Sequence, residues 1–79
     1  MAHYTQRDLH SDARAILGFY ESGDDPEYAA GYFEDLTYAQ AKAATRRAIT
    51  LNFYKGEEQA EWWGDFLYTI RWNILHLDR

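Results

Sequence analysis

Apolar residues recur along the chain with helical spacing in three places. Leu9, Ala13, Ile16, Leu17 and Tyr20 step by four, three, one and three, so they share one face of a helix. Thr5 precedes them as a cap, with Asp8 three residues on as a near capping box, and Gly23 marks the stop. Ala41, Ala44, Ala48 and Leu51 form a narrow stripe of small residues, which lets a neighbouring helix approach closely. Thr37 and Gln40 make its capping box, so this helix is predicted over residues 38–54 and ended by Lys55-Gly56. Trp63, Phe66, Leu67, Ile70, Ile74 and Leu77 carry the strongest period and predict a central core helix over residues 57–77. Its first turns hold Glu57, Glu58 and Glu61, which suits the helix dipole. Trp62, Trp72 and Leu75 fall outside that stripe, so the helix is apolar around more than half its circumference. Several neighbours or a partner chain must then cover it.

A fourth element starts at Asp25-Pro26, with Asp25 as N-cap and Pro26 in the first helical position, where its missing N–H costs nothing. The predicted helix is short, residues 26–34, and Gly31 weakens it by roughly 1 kcal/mol relative to alanine. The aromatic run at residues 28–33 also suits a strand. Pro26 fits a central strand poorly, which favours the helix.

These elements add up to an all-α fold, a compact bundle of about four helices with a long, aromatic-rich C-terminal helix. Residues 1–79 make one domain, since 79 residues leave no room for a second. The chain has no cysteine, so neither a disulfide nor a Cys-based zinc site supports this small core. Aromatic mass is the substitute: three Trp, four Phe and seven Tyr. The net charge of −5 opposes direct binding to nucleic acid or to anionic membranes. With no apolar run approaching the ~18 residues of a membrane span and no signal-peptide core, a cytoplasmic location is expected.

Charge falls in blocks. No Lys or Arg occurs from residue 15 to residue 41, a stretch that carries Glu21, Asp24, Asp25, Glu27, Glu34 and Asp35. Tyr20, Tyr28, Tyr32, Phe33 and Tyr38 are threaded among these acids. Lys42, Arg46, Arg47 and Lys55 follow as a basic block, expected to pair with the acidic segment or with the last helix. The plain reading of the acidic segment is a solvated helix with tyrosines lying half-buried over the core. The functional reading is a face that binds a basic protein surface, or a mimic of nucleic-acid charge. Tyr28 and Tyr32, four residues apart, share one side of that helix as anchors. Trp62 is a further candidate hydrophobic anchor, because Trp, Tyr and Arg dominate interface energies; the alternative places both Trp62 and Trp63 in the core.

Catalytic and metal chemistry find little footing. His3, His10 and His76 lack the i, i+4 spacing of helical metal sites, and no metal or other cofactor is expected. The acid pairs Asp24/Asp25, Glu34/Asp35 and Glu57/Glu58 sit where caps and first turns use them. No Gly-x-Ser-x-Gly and no phosphate-binding glycine loop is present. The sequence reads as that of a non-enzyme.

In its small size, blocks of charge and lack of catalytic residues, the chain resembles the small acidic anti-CRISPR proteins that phages encode against host defence. The resemblance implies a non-enzymatic inhibitor in the host bacterial cytoplasm, whose partner is a basic nucleic-acid-binding surface of a Cas complex subunit. The basic block departs from a uniformly acidic DNA mimic. A small structural or assembly protein, homodimeric or larger through the aromatic last helix, is the alternative expectation.

Overall fold

The computed structural model describes residues 3–52 and 57–77, with side chains from 61 to 75 in the last helix. The elements in chain order are α1 (Gln6–Glu21), α2 (Pro26–Ala30), a 3-10 turn (Gly31–Phe33), α3 (Tyr38–Leu51) and α4 (Glu57–Leu77). No strand occurs among the described residues, so residues 28–33 are helical. The predicted helix over 26–34 is one α-helical turn that tightens into 3-10 geometry at Gly31.

Local signals account for the starts and stops. Thr5 and Asp8 form a full reciprocal capping box on α1, as do Thr37 and Gln40 on α3. Asp25 occupies the N-cap of α2, yet its side chain makes no capping hydrogen bond, and Pro26 starts that helix. α1 ends in a Schellman motif. The Gly23 N–H donates to the Tyr20 carbonyl and the Asp24 N–H to the Phe19 carbonyl, each at 3.1 Å. Gly23 takes φ +78°, the left-handed region that glycine enters without a Cβ penalty. α3 ends at Leu51 because Asn52 turns extended, its N–H still bonded back to the Ala48 and Ile49 carbonyls. The helix predicted to residue 54 therefore stops short, at Leu51, while the Lys55-Gly56 stop and the side chains of Glu57, Glu58, His76 and Leu77 lie outside the described residues.

Packing follows the stripes. α1 lies against α3, α3 against α4, α4 against α2, and α2 touches α1, which closes a four-helix ring. Ala13, Ala29, Ala30, Ala41, Ala44 and Ala48 are fully buried and bring the backbones together. Ile16, Phe33, Leu36, Trp63, Phe66 and Ile70 fill the space left between them. Aromatic edges organise this filling: Phe33 meets Phe66 edge-on at 5.7 Å, and Trp62 stacks on Phe66 at 5.5 Å. Among the described residues, no helix is long and apolar enough to cross a membrane.

Candidate protein-binding face

The turn between α1 and α2 is the centre of the site. The Schellman motif sets the backbone of Asp24, and its carbonyl accepts the indole N–H of Trp62 at 2.9 Å. Trp62 also meets Tyr20 and Trp63 edge-on, so it pins α4 to this turn and is half-buried. The ring expected from sequence to anchor a partner therefore has an internal structural role. Trp63 is buried beside it, as its place on the stripe predicts.

Tyr28 and Tyr32 stand together on the outer side of α2 and the 3-10 turn, 57% and 60% exposed, with their hydroxyls hydrogen-bonded at 2.9 Å. Phe19, at the end of α1, lies under both: its ring is 5.0 Å from that of Tyr32 and 6.2 Å from that of Tyr28. The Tyr32 hydroxyl, first by hydrogen bonding and then by charge, and the Asp24 carboxylate push the Tyr28 hydroxyl above its ordinary value. The two hydroxyls thus offer O–H donors and acceptors on an apolar base. Sequence reading missed Phe19, because it sits just off the α1 stripe that Tyr20 occupies. An aromatic residue flanking a stripe in a final helical turn is the signal that could have found it.

The acids do not form one patch. Glu21, Asp25, Glu27 and Glu34 are exposed, and no hydrogen bond or ion pair engages their side chains among the described residues. Asp25 and Glu27 line a cleft with Asp65, Tyr68 and Thr69 of α4. Asp35 is carried elsewhere, into a cleft with His3, Tyr4, Asp8, Asp12 and Gln40. There the Tyr4 hydroxyl donates to the Asp12 carboxylate; burial, that hydrogen bond and the nearby acids push Tyr4 well above its ordinary value of 10.0. Neither Asp65 nor Tyr68 was singled out from sequence, although Asp65, Tyr68, Trp72 and Leu75 follow helical spacing.

The basic block faces away from the acids. Lys42, Arg46 and Arg47 line a groove between α3 and α1 with Gln6 and Leu9, and the Arg47 guanidinium donates to the Gln6 amide oxygen at 3.3 Å. The expected pairing of this block with the acidic segment or with α4 does not form among the described residues, because α3 turns these positions toward α1; Lys55 lies outside those residues. Among the described residues, no cation pairs with the acidic segment. His3 and His10 are exposed, and no group of three metal-ligating side chains occurs among the described residues. Comparison with known proteins places the chain in no family: no family model matches it, and no curated protein or solved structure does so either.

Proposed function

We propose that the protein is a non-enzymatic interaction inhibitor that occupies a basic, nucleic-acid-binding protein surface. The observation that carries this reading is the exposed Tyr28–Tyr32 pair, hydrogen-bonded over Phe19 beside acids that no cation among the described residues pairs with. Tyrosines on a supported base supply rigid contact area at low entropic cost. Carboxylates around them steer and orient a Lys/Arg-rich partner, and such binding weakens with salt. Glu21, Asp24, Asp25, Glu27 and Glu34 supply the charge, and Trp62 holds the turn that presents it. Asp35 belongs to a separate cleft and contributes at longer range. The resemblance to anti-CRISPR proteins makes a Cas effector complex the partner of choice, blocked from its DNA.

The test is a DNA-binding competition. At physiological salt the protein should lower DNA occupancy by a Cas effector complex, and the D24K/D25K/E27K variant should not. Equal inhibition by that variant, or none by the unaltered protein across effector types, overturns the reading.

A further inference from the structure

We infer that the cleft between the start of α2 and the outer face of α4 takes an arginine side chain from a basic segment of the partner. Two adjoining hollows make up the cleft. One, of about 380 Å³, is lined by Glu27, Tyr68, Thr69, Trp72 and Asn73. The other is lined by Asp25, Pro26, Glu27, Asp65, Tyr68 and Thr69. No cation among the described residues lines either one. Tyr68 is 71% exposed and Trp72 49%, an unusual outlay of aromatic surface for so small a chain.

This combination fits a guanidinium better than the alternatives. Arginine stacks its planar cation on Trp and Tyr faces and offers a fork of N–H donors to carboxylates, here from Glu27 and Asp65. A second copy docked face to face through α4 would bring two acid-lined clefts into one two-fold interface, where like charges oppose association. Glu27 lines both hollows, and the lining includes neither Phe19 nor Tyr28 nor Tyr32. The cleft adds a second contact to the basic-partner reading, on which it rests, and uses different side chains from the Tyr28–Tyr32 pair.

A synthetic Gly-Arg repeat peptide and its citrulline counterpart, which keeps the shape and removes the charge, serve as probes in an NMR titration. The arginine peptide should shift the Trp72 indole N–H and the backbone amides of Glu27 and Tyr68, and the citrulline peptide should not. Y68A, at a highly exposed position, and W72A should each weaken the arginine peptide by about fivefold. E27Q, which keeps shape, should also weaken it. Equal binding of the citrulline peptide overturns the inference in favour of plain apolar docking. Shifts that appear on dilution alone, without peptide, overturn it in favour of self-association. Loss of peptide binding in Y28A/Y32A but not in Y68A or W72A sinks the cleft and leaves the tyrosine face standing; no loss in any variant sinks both.

Discussion

The indole N–H of Trp62 donates to the backbone carbonyl of Asp24, 38 residues away in sequence, at 2.9 Å. Its neighbour Trp63 buries an identical N–H that has no hydrogen-bond partner among the described residues. Replacing Trp62 by Phe should cost about 1 kcal/mol, because a half-buried carbonyl loses its donor. Trp63→Phe removes an unsatisfied polar group and should fall within about 0.5 kcal/mol of neutral once the lost ring area is counted. Urea midpoints of the two variants measure the difference, and an equal loss in both would show that ring packing, not the hydrogen bond, holds the turn.

The glycines should split by backbone conformation. Gly23→Ala forces a Cβ into the left-handed region and should destabilise by about 1–2 kcal/mol. Gly18 and Gly64 are exposed helix-interior positions where an added Cβ meets nothing within 4 Å. Alanine at either should stabilise by about 0.5–1 kcal/mol. Chemical denaturation of the three single variants decides the signs.

Tyr4 gives a pH dependence of known sign. Its folded-state pKa lies above the unfolded value near 10, so the folded protein keeps a proton that the unfolded chain releases. The contribution of Tyr4 is fully present below pH 10 and declines as pH rises beyond it. Tyr4→Phe, which loses the bond to Asp12, should cost about 1 kcal/mol at pH 7. The gap between the two proteins should narrow above pH 10 in urea titrations. A gap that is constant across that range would separate Tyr4 from Asp12.

Helix caps should rank by the hydrogen bonds they make. Thr37→Ala removes a reciprocal capping box and should cost about 1 kcal/mol, a melting shift of roughly 4–8 °C in a domain of this size. Asp25→Ala removes no capping hydrogen bond and should cost only a few tenths of a kcal/mol. Thermal unfolding by circular dichroism checks the order.

Where each helix begins and which side of it is apolar could be read from the chain alone. Thr5 with Asp8, Thr37 with Gln40, Pro26 and Gly23 act over three or four residues, so their effect is written locally. The same holds for the stripe that buries Trp63, Phe66 and Ile70, since helical period alone places them together. Tyr28 and Tyr32, one turn apart, were legible as a pair for that reason.

The tertiary structure decided which faces meet. Phe19 lies under the tyrosines because α1 and α2 reverse at Gly23. Asp65 and Tyr68 join Asp25 and Glu27 because α4 packs on α2. The fold also puts Asp35 in a different cleft from Asp25 and Glu27 and turns Arg46 and Arg47 toward α1. Helical period sets where a side chain sits around its own axis; the rotation of one helix against another is set by how all the stripes fit at once. No short window of sequence contains that, so the acids could be counted in the chain, but their division between clefts could not.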